Sequence, residues 1–297
     1  MKPHGIPRLL LVALLLAFAL PAHADDIRRI TNLYDAFGSP ATKLAKDWGF
    51  AALVEYGGKR ILFDTGNDAD IFEQNVKALG VDLTRLDAVV ISHRHGDHTS
   101  GLTYLLQVNP GVAIYVPQEG AFLKAPMPPD FFARQPGLAP DLQYFDGKDP
   151  GPRRSGTPWE KANFKIVSGT AEIFPGFHIV SVQSQKPGTI EMNELSLAIR
   201  TPRGLAVVVG CSHPGVEKIL AQVAKIDPRL YTVLGGYHLV RTQESEVRRV
   251  ALALRDELKI ERVAPAHCTS ELGFAVFLEL FRGRFDRAGL GAIITLP

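Results

Sequence analysis

The apolar run Ala88-Val89-Val90-Ile91 passes without interruption into Ser92-His93-Arg94-His95-Gly96-Asp97-His98. A short, β-branched apolar run bounded by polar residues predicts a buried strand over 88–92. Three imidazoles and a carboxylate are then delivered to the carboxyl edge of a sheet, where open α/β sheets place their ligands. That donor set suits zinc or another borderline first-row ion. A lone histidine is often a hydrogen-bonded core or surface residue, but three with an aspartate at this spacing point to metal. Gly96 is expected to let the turn tighten so that alternate residues face different ions.

Around this run, strands are predicted at 27–34, 50–56, 60–64, 112–116, 164–167, 172–174, 178–182, 195–200, 205–209, 231–234 and 262–264. Helices are predicted at 69–79, 101–108, 216–225, 244–258 and 271–282. Gly57-Gly58 reads as a hairpin turn. Strands followed by helices in each of two halves predict an α/β (α+β) chain folded as a four-layer αββα sandwich. Eight prolines crowd residues 125–160 with little periodicity, which predicts a loop insertion in a single domain spanning 25–297. Whether that loop is a lid or an inert excursion stays open. Neither a P-loop nor a strand–GxGxxG–helix unit is present.

Residues 1–24 read as a signal peptide: Lys2 and Arg8, an apolar run from Leu9 to Leu20, then Ala22-His23-Ala24 as an Ala-x-Ala cleavage pattern. The run is shorter than the roughly 20 residues a transmembrane span needs. The expected location is therefore periplasmic or secreted, with no membrane anchor after cleavage. Removing residues 1–24 leaves 31 Lys+Arg against 31 Asp+Glu, a balance with no electrostatic footprint for nucleic acid. Two cysteines, Cys211 and Cys268, are too few for a disulfide-stapled scaffold.

The run from His93 to His98 resembles the HxHxDH signature of the metallo-β-lactamase superfamily, and the resemblance extends over most of the mature chain. Leu62-Phe63-Asp64-Thr65-Gly66 resembles the family's strand-ending aspartate motif. The resemblance implies two zinc ions, His93 and His95 on the first, Asp97 and His98 on the second. It implies that Asp64 supports a ligand histidine from behind. A histidine at 95, where flavodiiron members carry glutamate, favours hydrolysis over redox iron chemistry. Gly210-Cys211-Ser212-His213-Pro214-Gly215, Gly235-Gly236-Tyr237-His238-Leu239 and Pro265-Ala266-His267-Cys268-Thr269 resemble the branch of dihydropterin ribofuranosylaminobenzene phosphate synthase-like proteins, as does Tyr34-Asp35.

That likeness assigns His213 to the first metal, with His178 as its competitor, and His267 to the second. Cys211 stands where a bridging aspartate is usual and is open to three readings: thiolate ligand, buried thiol, or disulfide partner of Cys268. His238 is either a substrate binder and proton donor or a solvated loop residue.

The expectation is an exported binuclear zinc hydrolase of a small molecule, with a zinc-bound hydroxide as nucleophile. Asp97 would orient the nucleophile, and His238 or a metal-bound water would protonate the leaving group. A phosphorylated substrate is suggested by the Pro214-Gly215 turn opening helix 216–225, where free N–H groups favour anions. The alternatives are a synthase-like transferase and a non-catalytic metal-binding module. β-Lactamase activity proper is disfavoured, because the third-ligand and bridging segments differ from those enzymes.

Overall fold

The computed structural model describes residues 1, 27–41, 43–120, 157–185 and 192–297, with the single positions 122, 137, 143 and 148. The signal segment (apart from Met1) and most of the proline-rich stretch lie outside the described residues. Among the described residues there are two sheets. The first orders β13 (Ile293–Thr295), β1 (Arg29–Tyr34), β2 (Ala51–Tyr56), β3 (Lys59–Phe63), β4 (Ala88–Val90), β5 (Ala113–Pro117) and β6 (Asn163–Val167). The second orders β12 (Arg262–Ala266), β11 (Leu230–Gly236), β10 (Gly204–Val209), β9 (Met192–Thr201), β8 (Phe177–Ser184) and β7 (Ala171–Phe174).

Alternation along the buried strands explains why their sequences are continuously apolar rather than half polar. In β10, Ala206 and Val208 enter the core between the sheets, while Leu205, Val207 and Val209 enter a second core under helices α4 (Val216–Val223), α5 (Glu244–Leu252) and α6 (Glu271–Phe281). In β3, Ile61 and Phe63 face the inter-sheet core. Leu62 instead packs with Phe72 and Val76 of α1 (Ala69–Ala78) and with Leu102 and Leu105 of α3 (Leu102–Val108). The central strands β3 and β10 thus bury both faces, and the layers run helix, sheet, sheet, helix.

Several boundaries differ from the sequence reading. The strand expected at 88–92 stops at Val90, because the Ser92 N–H turns to the Asp64 carboxylate (2.7 Å) instead of continuing the ladder. The motif itself begins a one-turn helix, α2 (Gly96–Thr99). Gly96 is not required there: an added Cβ would meet only Ser100 Oγ, at 3.7 Å. The helix expected over 244–258 ends at Leu252 and continues as a π turn, Ala253–Glu257, closed by the Leu258 N–H on the Ala253 carbonyl. Strand β13 was not anticipated; its three residues, IIT, carry too little periodicity to register. No helix among the described residues is long and apolar enough to cross a membrane.

Strands β3, β4, β5 and β6 are mutually parallel, as are β10, β11 and β12. Their carboxyl ends carry Asp64, the 93–98 run, Cys211–His213, His238 and His267. Gly235 makes this convergence possible, since at φ +132° a Cβ there would lie 1.9 Å from the Val209 carbonyl oxygen. Gly235→Ala is expected to destabilise by upwards of about 3 kcal/mol. Gly57→Ala, in the open β2–β3 turn, should cost only roughly 1–2 kcal/mol. Chemical denaturation of the two variants measures the difference.

Candidate metal centre

Asp64 leaves β3 in a left-handed conformation (φ 58°), which turns its fully buried carboxylate toward the end of β4. Oδ1 accepts the Ser92 N–H, and Oδ2 accepts the Ser92 hydroxyl and faces His98 Nδ1, both at 2.7 Å. Ser92 Oγ lies 2.8 Å from His93 Nδ1. One carboxylate therefore orients His98 directly and His93 through a serine. Burial pulls His98 toward the neutral form, but the Asp64 charge and hydrogen bond outweigh it and hold the pKa up at about 9. His93 is driven well below its ordinary value, by burial first and then by His98, His213 and His95 around it.

Glu194 plays the matching part in the second sheet. It is fully buried on β9 and accepts the N–H groups of Cys211 (2.9 Å), Ser212 (2.6 Å) and His213 (2.7 Å). His213 Nδ1 stands 3.1 Å from the same carboxylate. Burial would raise Glu194, but His213 and these amides hold it below the usual carboxylate range. Ser212 is left-handed (φ 62°), and its hydroxyl donates to the Gly236 carbonyl at 2.7 Å.

With these outer nitrogens committed, His93, His98 and His213 turn their Nε2 atoms inward. His93 Nε2 and His95 Nδ1 are 3.1 Å apart. That is close to the roughly 3.3 Å edge of a tetrahedron with metal–nitrogen bonds of about 2.0–2.1 Å. The His95 and His213 rings are 4.9 Å apart. His98 Nε2 lies 3.2 Å from Cys211 Sγ. His267, also left-handed (φ 45°), is held by its backbone N–H on Asp35 Oδ2 (3.1 Å). Both its ring nitrogens are buried without a hydrogen-bond partner, although Asp97 Oδ2 stands 3.4 Å from Nε2. Burial raises the Asp35 carboxyl to about 7 despite its bonds to Asn32 and to backbone amides.

The donors fall into overlapping sets: Asp97, His98, Cys211 and His267; then His93, Cys211 and His213; then Cys211, His238 and Cys268. Within each set the donor atoms lie within 4.8 Å of one another. This donor chemistry, with the orphaned His267 nitrogens, fits divalent metal. Cys211 belongs to every set, and burial followed by the neighbouring Cys268 keeps its thiol well above its ordinary pKa. Both cysteines are free thiols, so no disulfide joins them. The half-buried His238 packs its ring 4.3 Å from that of His213, which places it at the centre rather than in a solvated loop. His178 joins none of these sets; it lies on β8 facing Glu172 at 3.9 Å.

Glu194 was missed in the sequence, although an acid inside Met192-Asn193-Glu194-Leu195-Ser196-Leu197-Ala198-Ile199 was the available signal. Trp48 was missed too. Its ring lies 4.8 Å from that of His267.

The family model of the metallo-beta-lactamase superfamily matches residues 49–267, from the loop before β2 to the last histidine of the cluster. The chain belongs to the metallo-beta-lactamase superfamily. It is 29% identical over 267 residues to the 7,8-dihydropterin-6-methyl-4-(beta-D-ribofuranosyl)-aminobenzene-5'-phosphate synthase of Methanocaldococcus jannaschii, covering 82% of this chain and 88% of that protein. Among solved structures, a metal-dependent hydrolase of the beta-lactamase superfamily superposes with a TM-score of 0.68 at 28% identity, over 90% of this chain and 98% of that one. A metallo-beta-lactamase fold protein from Bacillus subtilis shares the fold at 14% identity and a TM-score of 0.54, over 91% and 99% of the two chains.

In this superfamily member the carboxylate of Glu194 carries one histidine and the loop that holds it. Glu194→Gln should leave the protein folded but with a lowered melting temperature. Its affinity for zinc should fall about 10–100-fold, read by competition with a chelating dye.

Proposed function

We propose that this protein is an exported, binuclear, zinc-dependent hydrolase acting on a small molecule in the periplasm or outside the cell. The observation that carries the reading is the division of labour in three imidazoles, His93, His98 and His213: outer nitrogens on buried acceptors, inner nitrogens converging. His93, His95 and His213 would hold one ion, and Asp97, His98 and His267 the other, with Cys211 shared between them. Bound there, two divalent ions supply Lewis-acid polarisation of the scissile group and a water acidified to near neutrality. Asp97, on the less buried side of the cluster, orients that water. His238, free of the first two donor sets, gives its proton to the leaving group. A phosphorylated substrate suits the amino end of α4, behind Pro214 and Gly215, which no side chain caps.

Likeness to the synthase favours a second reading, group transfer onto an aminobenzene-type acceptor. Supplying water alone or water plus an aromatic amine, and identifying the products, separates the two. A reporter fused behind residues 1–24 tests export.

Purified mature protein is expected to hold about two zinc ions per chain, and His95→Ala to hold fewer. Less than one ion in the wild type would sink the binuclear reading. Ligand groups must lose their protons on binding metal. At pH 7 His98 (about 9) and the Cys211 thiol both start protonated, so zinc loading should release protons and affinity should climb with pH. Calorimetry in buffers of different ionisation enthalpy measures that release; a buffer-independent enthalpy contradicts it.

His238→Asn should lower kcat about 10²–10⁴-fold on substrates with poor leaving groups, at unchanged zinc content. An equal loss on substrates that leave without protonation would remove the proton-donor role. The first measurement is a panel of esters, lactones and phosphoesters.

A further inference from the structure

Among the described residues, Trp48 is one of the few large hydrophobic side chains left substantially in water (46% exposed), and it stands beside the donor cluster. Its ring meets the His267 ring at 4.8 Å and an interplanar angle of 50°, so part of the indole surface remains uncovered. An exposed indole on a loose loop would be unremarkable, because single exposed hydrophobics are ordinary. This one is held in place from both sides.

Asp47 accepts the hydroxyl of the buried Tyr34 (2.5 Å) and the Asn67 amide (3.2 Å). Asn75 of α1 takes both backbone groups of Ala45, at 2.8 and 2.9 Å, and Gln74 donates to the Lys43 carbonyl at 3.1 Å. On the other side, the Phe50 N–H donates to the Asp97 carbonyl at 3.1 Å. A Cβ on Gly49 would lie 2.7 Å from that same oxygen, so only glycine lets the loop approach so closely. The loop is thus clamped to the backbone of the metal motif itself. An aromatic plane fixed against the reacting centre and open on one side contributes recognition with little ordering cost.

We propose that Trp48 forms an aromatic subsite of this centre, taking the flat ring system of an aromatic or heteroaromatic substrate. The proposal rests on the cluster being where the substrate reacts, and it names the class of substrate. Flat rings gain from offset or edge-on contact with indole, whereas a saturated ring of the same size gains only from burial. If Trp48 served only to shield His267, any apolar side chain of similar reach would do as well.

The test uses the zinc-loaded mature protein and two anions of equal charge and similar size, 2-naphthoate and decahydro-2-naphthoate, titrated by calorimetry. The carboxylate is common to both, so any contact it makes with metal cancels in the ratio. The flat probe should bind about 3- to 10-fold tighter. Trp48→Phe should keep that preference, and Trp48→Leu, which still covers His267, should bring the ratio close to one. A ratio near one in the wild type, no binding of either probe, or an unchanged ratio in Trp48→Leu overturns the subsite. Because binding is read without turnover, an inert substrate panel beside a ratio that follows residue 48 would overturn the hydrolase reading and leave the subsite standing.

Discussion

Four N–H donors close on the Glu194 carboxylate, and half of the metal centre hangs from that contact. An ionised carboxylate in a dry interior is tolerated only when its lone pairs are filled. Here the filling is done by the backbone of the loop that carries Cys211 and His213. Losing one donor would therefore penalise the rest. Asp64 answers it from the other sheet, filled by Ser92 and His98. Each sheet contributes one such carboxylate, so the packing of sheet on sheet, through Phe63, Ile179, Leu195 and Val208, sets how the two halves of the cluster meet.

The centre also concentrates backbone strain. Asp64, Ser212, His238 and His267 all adopt positive φ, a conformation that costs a side-chain-bearing residue roughly 1–2 kcal/mol. Each stands just past a strand end and points its functional group back across the sheet edge. The surrounding hydrogen bonds over-determine the geometry, as strained functional residues require.

The layers of the fold were legible because buried strands and amphipathic helices leave different periods in the sequence. The dense run at 93–98 was legible because its donors are neighbours in the chain. Residues that act across the fold were not. Glu194 is a single acid in a strand, and nothing local says that its partners lie in the loop that follows the next strand of the sheet. The choice of His213 over His178 rested on likeness, and only the fold shows that His178 faces Glu172 instead of the cluster. Trp48 carries no local signal, because its neighbour His267 is more than two hundred residues away in sequence.

Strands β5 and β6 pair in parallel from Ala113↔Asn163 to Pro117↔Val167, although a long stretch of chain separates them. Five consecutive residue pairs hold that register. For a connection of this kind each doubling of length adds only about 0.6 kcal/mol of closure cost. Length added there would cost little closure entropy, and the strand ends that carry the donors lie outside it. The architecture thus sets the long connection beside β6, at the edge of the first sheet, and gathers the donors at the strand ends.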